Sequence, residues 1–359
     1  MTKVASKTVW TRLGEVASLV ATPLLPSHYI ALFAPLATSR TRQARVEAVL
    51  DETPDVVTIT LRPARGWRAH VAGQHVRIGI AIDGRIATRT YTISSSPDRR
   101  DGCITITVKA HGRVSRALHD IEVGTFVTLG PAIGDFTLPV GAPVRPLFVT
   151  AGSGITPIAS MLRSLATSGH MLDIVHVHFT RGDMIFGAEL RRLATTHPSY
   201  RLIEVNTAND PRRLTTARLA ELVPDWTERE AWACGPADVL AAATAAFADR
   251  PHALHLERFR AALAPLPANT LGGEVHFTTR AKARADGGTP LLRIAEDAGL
   301  SPPHGCRMGI CHSCDSTLVS GCVRDLRTGA SITEPGTKIQ ICVCAAAGDV
   351  EVTLQGDSK

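Results

Sequence analysis

Three cysteines fall within nine residues of one stretch, His304-Gly305-Cys306-Arg307-Met308-Gly309-Ile310-Cys311-His312-Ser313-Cys314, and beyond Cys322 a close pair follows at Cys342 and Cys344. The spacing C-x4-C-x2-C with a distant fourth thiol constrains the fold because one short loop must wrap a common centre. A neighbouring segment must then bring the last ligand. Each iron of a [2Fe–2S] cluster takes two thiolates tetrahedrally, and this arrangement supplies four. Gly305 and Gly309 let the backbone bend closely enough for amide N–H groups to point at anionic sulfurs. Zinc knuckles use two short C-x2-4-C pairs, whereas only one C-x2-C pair is present here. A disulfide framework belongs to an oxidising compartment and to chains too small to build a core. Ile341-Cys342-Val343-Cys344 offers two candidates for the fourth ligand, on one face of an expected strand.

The same stretch resembles the end of a plant-type ferredoxin, where the last ligand precedes an Asp-Val-x-(apolar) strand by seven positions. With Asp349-Val350 in that role, the resemblance selects Cys342 and implies the ligand set Cys306, Cys311, Cys314 and Cys342, with Cys344 a bystander. Cys103 and Cys322 lie outside any ligand spacing and read as buried bystanders.

At 359 residues, with 44% hydrophobic and 20% charged residues, the chain has the composition of two or three ordinary globular domains. The net charge of +6 is spread out. No basic run is interleaved with aromatics, so nucleic acid is not an expected partner. Thiols used as iron ligands point to a reducing compartment, the cytoplasm. Residues 16–39 form an uncharged run broken by Pro23, Pro26 and Pro35. A spanning helix does not suit it. We expect a helical N-terminal extension over 1–41, packed on the next domain, with peripheral membrane contact as the alternative.

Strand-like runs at 45–49, 56–61, 76–82, 104–108 and 126–129, punctuated by Pro, Gly and Asp turns, predict an antiparallel barrel over 42–140. Within it, Arg89-Thr90-Tyr91-Thr92-Ile93-Ser94-Ser95 alternates as a strand, so Arg89 and Tyr91 share a face. A cation beside an aromatic ring suits a ligand with a phosphate and a flat ring. Gly112-Arg113-Val114-Ser115 follows and opens a short helix whose first N–H groups, with the Ser115 hydroxyl, could hold a pyrophosphate. In this order the two motifs resemble the FAD-binding domain of the ferredoxin–NADP reductase superfamily, R-x-Y-[S/T] then G-x-x-S. The resemblance implies FAD, with Arg89 on its pyrophosphate, Tyr91 against the isoalloxazine and Thr92 near flavin N5. It also implies that Gly112, Val114 and Ser115 cap the pyrophosphate.

From 141 to 260 the pattern is α/β: strands at 147–150, 174–179, 201–205 and 231–234 alternate with helices, which predicts a doubly wound parallel sheet. The first strand leads into Ala151-Gly152-Ser153-Gly154-Ile155-Thr156-Pro157, with Thr156 and Pro157 read as cap and first turn. The order G-x-G-x-x-P, then Cys234-Gly235-Pro236, resembles the pyridine-nucleotide domain of the same reductases. It implies that Gly152, Gly154 and Thr156 hold the cofactor phosphates and that Cys234 and Gly235 lie beside the nicotinamide. Thr92 and Cys234 are the candidate catalytic pair. Arg181 could pair with a 2′-phosphate, which favours NADPH over NADH, although Asp183 stands nearby. Phe259, near the domain's end, is a candidate shield for the flavin face.

Residues 261–270, with Ala264-Pro265-Leu266-Pro267, read as a stiff linker. Residues 271–359 then form an α+β (β-grasp) ferredoxin domain with strands at 274–278 and 349–354 and a helix at 290–298 capped by Thr289. A two-electron donor, a carrier that works in both modes and a one-electron cluster form an electron conduit. The resemblance implies an external electron acceptor protein, and the N-terminal Ala21-Thr22-Pro23-Leu24-Leu25-Pro26 looks most like bacterial reductase partners of membrane acyl-CoA desaturases. A soluble mono- or dioxygenase or cytochrome P450 component is the alternative acceptor. A redox-sensing module without turnover is a third reading.

Overall fold

The computed structural model describes residue 36 and residues 42–82, 84–139, 145–169, 173–259, 264–267, 270–278, 281–305, 307–309 and 312–355. The expected N-terminal helix, Cys306 and Cys311 lie outside the described residues.

Alternating β-branched residues build six strands in the first unit: β1 (Gln43–Thr53), β2 (Val56–Pro63), β3 (His75–Ile82), β4 (Arg85–Thr92), β5 (Ile104–Lys109) and β6 (Phe126–Leu129), with helix α1 (Arg113–His119) after β5. Their order is β4-β3-β6-β1-β2-β5, all neighbours antiparallel. The two edge strands meet through the Ile93–Ile106 bridge and the Ser94 N–H bond to the Thr105 carbonyl (2.8 Å), which closes the sheet into a barrel. Val46, Ile59, Val76, Ile78, Ile106 and Leu118 fill it and are essentially inaccessible. Burial of each side chain contributes roughly 1.5–3 kcal/mol.

The second unit runs β7 (Pro146–Ala151), α2 (Ile155–Ser168), β8 (Ile174–Thr180), α3 (Gly187–Thr196), β9 (Tyr200–Asn206), α4 (Thr216–Leu222), β10 (Glu230–Cys234), α5 (Ala237–Ala246) and β11 (Leu254–Glu257). The sheet is wholly parallel, in the order β11-β10-β7-β8-β9, with an apolar cluster on each face. One of these clusters takes in Val56, Ala72 and Phe136 from the barrel unit, and Trp232 Nε1 donates to the Thr137 carbonyl at 3.1 Å. The barrel and the nucleotide sheet therefore share a core. Strand β11 carries no long apolar run of its own, and its pairing with β10 was not legible locally.

The third unit is a mixed sheet of β12 (Gly273–Phe277), β13 (Ala281–Ala285), β14 (Asp315–Asp325), β15 (Ser331–Ile332), β16 (Lys338–Gln340) and β17 (Cys344–Thr353), packed by helix α6 (Leu291–Asp297). Its order is β13-β12-β17-β14-β15, with β16 on β14, and only β12–β17 is parallel. Pro290, not Thr289, is the N-cap of α6, because the Thr289 hydroxyl is taken by Asp286 at 2.9 Å. Ala264 of the linker segment donates to the Leu326 carbonyl at 2.7 Å, tying that end to the third unit.

Candidate functional site

Strand β4 places Arg89 at a cavity wall and Thr92 on the opposite, buried face. The Arg89 guanidinium donates to the Thr88 carbonyl (2.7 Å), and burial pushes its pKa below the ordinary value. A half-buried cation that makes no ion pair among the described residues is costly, so this position fits an anionic ligand. Burial also pushes the Tyr91 hydroxyl up to about 12. Thr92 Oγ1 is buried and has no hydrogen-bond partner. An orphaned hydroxyl and a partly buried guanidinium on one strand fit a ligand that brings both a ring heteroatom and phosphates.

A cavity of about 770 Å³ is lined by Arg89, Arg113 and Val114 of the barrel and by Glu296, His304 and Arg307 of the iron–sulfur unit. Arg307 is held by Glu296 (2.9 Å through Nη1) and contacts His304 Nε2 at 2.9 Å. Thr88 Oγ1 and His304 Nε2, 216 positions apart in sequence, approach to 3.4 Å. Gly112 and Ser115 do not line this cavity. The Ser115 hydroxyl accepts from the His111 and Gly112 N–H groups (3.0 and 2.8 Å), so it caps its own helix.

At the nucleotide sheet, β7 runs into a 3₁₀ turn, Gly152–Gly154, continuous with α2. Gly152 adopts φ +52°, and a Cβ on Gly154 would sit 2.1 Å from the Cys234 carbonyl oxygen. The glycines therefore bring this turn directly against the end of β10. Thr156 is not the helix cap: Gly154 is, and the Thr156 hydroxyl donates back to the Ser153 carbonyl at 3.1 Å, because the 3₁₀ turn starts the helix earlier. Gly235 packs on Ala151, with room for a Cβ only at 3.2 Å.

Cys234 is fully buried, and burial pushes its thiol well up, followed by the influence of Glu257. Glu257 was not singled out from sequence. It stands beside Cys234 in parallel register, its carboxyl is raised by burial, and Oε2 has no partner while Oε1 lies 3.4 Å from His75 Nδ1 on β3. Phe259, two residues on, is 40% exposed and lines neither of the cavities described here.

A second cavity, about 800 Å³, opens at the C-terminal edge of the parallel sheet and is lined by Gly152, His178, Arg181, Arg212, Arg213 and Pro236, among others. Arg212 and Arg213 pair with Asp210 and Asp238, whereas Arg181 makes no ion pair among the described residues. Under the cavity wall, Thr150 Oγ1 bridges His176 Nε2 and His178 Nδ1, each at 2.7 Å, and His176 Nδ1 meets the Tyr200 hydroxyl at 2.9 Å. Burial holds His178 near 4, so the ring is neutral.

In the third unit Cys314 and Cys342 are both buried in one apolar cluster. Two buried thiols in one cluster, from the two segments of the motif, are a donor pair suited to iron. Cys342 and Cys344 do not share a strand face. Cys342 sits in a turn closed by the Val343 N–H bond to the Gln340 carbonyl (3.0 Å), and β17 begins only at Cys344. Burial pushes the Cys344 thiol up to about 12. Cys322 is only half-buried, in contrast to the buried Cys103.

A flavin barrel, a parallel nucleotide sheet and a thiolate-bearing mixed sheet, in that order, define an NAD(P)H-dependent flavin and iron–sulfur reductase. Family models match in the same order: an oxidoreductase FAD-binding domain over 55–138, an oxidoreductase NAD-binding domain over 148–245 and a 2Fe-2S iron-sulfur cluster binding domain over 277–347. The chain is 44% identical to an NADPH oxidoreductase of Mycobacterium tuberculosis, over 95% of this chain and 91% of that one. It is 30% identical to the stachydrine N-demethylase reductase subunit of Rhizobium meliloti, over 82% and 91%. Phthalate dioxygenase reductase has the same fold (TM-score 0.62, 21% identity, 87% of this chain and 97% of that one). The chain belongs to the ferredoxin–NADP reductase family of oxidoreductases with a C-terminal [2Fe–2S] domain, and its cofactors are FAD, a [2Fe–2S] cluster and NAD(P)H.

Proposed function

We propose that the chain is the reductase component of an oxygenase system, taking electrons from NADPH and delivering them singly to a separate oxygen-activating protein. The observation that carries this reading is the cavity walled jointly by Arg89 of the flavin barrel and by His304 and Arg307 of the cluster loop. The proposed flavin site and the cluster loop would then border one cavity, which keeps the two carriers close. The bound flavin supplies the exchange between hydride and single electrons.

The protein's own residues do the rest. Arg89 would neutralise the flavin phosphates, Tyr91 would flank the ring and Thr92 would offer its orphaned Oγ1 to it. The Gly152–Gly154 turn holds the dinucleotide phosphates, while Cys234 and Gly235 form the floor beside the nicotinamide. Glu257, its carboxyl raised by burial, would offer its unpartnered oxygen to the carboxamide. Arg181 meets the 2′-phosphate, which is the basis for NADPH. Cys306, Cys311, Cys314 and Cys342 hold the cluster.

An oxygenase-type acceptor is favoured by relatives named as demethylase and dioxygenase reductases. A membrane acyl-CoA desaturase is the second reading. It rests on the resemblance of the N-terminal Ala21-Thr22-Pro23-Leu24-Leu25-Pro26 stretch alone. Purified protein with full flavin, iron and sulfide is mixed with NADPH or NADH, and cluster bleaching is followed before transfer to a soluble oxygenase or a desaturase in vesicles. Bleaching by NADPH and turnover of the soluble oxygenase support the main reading. Turnover of the desaturase alone, lost on removing residues 1–41, replaces it with the second. Absence of bleaching sinks both.

A further inference from the structure

Opposite the cluster loop, the hairpin between β14 and β15 carries one cation with an unusually fixed position. Asp325, only 9% exposed, accepts from the Arg327 backbone N–H at 2.8 Å and grips its guanidinium through Nε (3.1 Å) and Nη2 (2.7 Å). The free edge of the guanidinium then donates from Nη1 to the Gly309 carbonyl at 2.8 Å. Gly309 lies between Cys306 and Cys311 in the ligand loop. Its φ is +72°, and a Cβ there would sit 2.5 Å from Arg327 Nη1 and 2.8 Å from Val343 Cγ2. Glycine is thus needed for the backbone angle and for the approach of the guanidinium.

The hairpin is also bolted to the other ligand-bearing segment. Leu326 N–H donates to the carbonyl of Val343, the residue between Cys342 and Cys344, at 2.8 Å. Arg327 lies within Coulombic reach of both Cys342 and Cys344. The hairpin, through the Arg327 side chain and the Leu326 backbone, therefore ties the loop carrying three ligands to the turn carrying the fourth. Its planar fork can satisfy a carboxylate and a carbonyl together, which a lysine ammonium does less well.

We propose that Arg327 is a positioning residue for the [2Fe–2S] cluster and sets its reduction potential. The fixed positive charge favours the reduced, more negative cluster over the oxidised one, since net charge and outer hydrogen bonds tune such centres. Asp325 aims that charge, and the bond to Gly309 holds the loop at a constant distance from it. The inference rests on the cluster assignment and is independent of which protein accepts the electrons.

The test compares holoprotein of wild type, Arg327→Gln and Arg327→Lys by iron and sulfide content and by an EPR-monitored redox titration. In Arg327→Gln with a full cluster, the midpoint falls by about 59 mV, a tenfold change in the one-electron equilibrium. Arg327→Lys, which keeps the charge, recovers most of that shift. If Arg327→Gln assembles no cluster, a full load and near wild-type midpoint in Arg327→Lys still supports the charge. A wild-type midpoint in cluster-complete Arg327→Gln, an equally low midpoint in Arg327→Lys, or loss of the cluster from both variants overturns the proposal. Wild-type protein without iron and sulfide would instead refute the cluster assignment itself.

Discussion

Replacing Thr92 by valine should act in opposite directions on the flavin-free and flavin-loaded protein. The side chain is 6% exposed and its Oγ1 is unpaired, while valine has nearly the same shape. A buried unsatisfied hydroxyl costs about 1–3 kcal/mol, so its removal stabilises the flavin-free barrel by about 1 kcal/mol or more. In the loaded protein the same change deletes a bond with a net contribution of about 0.5–1.5 kcal/mol. Flavin affinity reads the difference between the two states, roughly 2 kcal/mol in total, or about thirtyfold in Kd. Urea unfolding of flavin-free protein followed by fluorescence, with FAD binding measured by quenching, gives both numbers. A flavin-free Thr92→Val variant less stable than wild type, or one that binds FAD equally well, would refute the assignment of this hydroxyl to the flavin.

Three further outcomes follow from the nucleotide side. Gly154→Ala forces its Cβ and the Cys234 backbone apart by about 1.3 Å to reach the 3.4 Å of ordinary contact. A displacement near 1 Å costs on the order of 100-fold in a positioned reaction, so stopped-flow flavin reduction by NADPH should slow by that factor while flavin and cluster spectra stay unchanged. Arg181→Ala removes a charge-assisted bond of about 1.5–3 kcal/mol, raising KM for NADPH roughly tenfold or more with little effect on NADH; equal losses for both nucleotides would contradict the 2′-phosphate role. Glu257 is raised above its ordinary value of 4.5, so the stability tied to its neutral form is complete below that value and is lost as pH rises through the raised one. The difference in denaturation midpoint between Glu257→Gln and wild type should therefore grow in the variant's favour as pH rises above the ordinary carboxylate value, and a constant difference would count against a carboxyl raised by burial.

Much of the fold was readable from local pattern. The alternating runs at 76–82 and 104–108 became β3 and β5, and the apolar run at 147–150 became the central strand β7. Helix caps were less legible. Thr156 and Thr289 have the chemistry of caps, yet a preceding 3₁₀ turn took the start of one helix and Asp286 took the hydroxyl of the other. Ser115 was identified by its motif, but its hydroxyl satisfies the first turn of its own helix. Glu257 escaped notice because an acidic residue at a strand end is ordinary until Cys234 and His75 are seen against it.

Spacing along the chain was enough to determine the chemistry: thiols at 306, 311 and 314, the Arg89–Tyr91 alternation and the glycine turn after β7 are all patterns within one turn or one strand, where the covalent backbone alone sets the geometry. Tertiary packing decided which distant groups face one another. It put Cys342 in a turn and Cys344 on a strand, brought Glu257 to His75, set His304 and Arg307 across from Arg89, and laid Arg327 on Gly309. Those contacts join separate sheets or separate segments of one sheet, and they depend on how buried faces dock, which no one-dimensional period encodes.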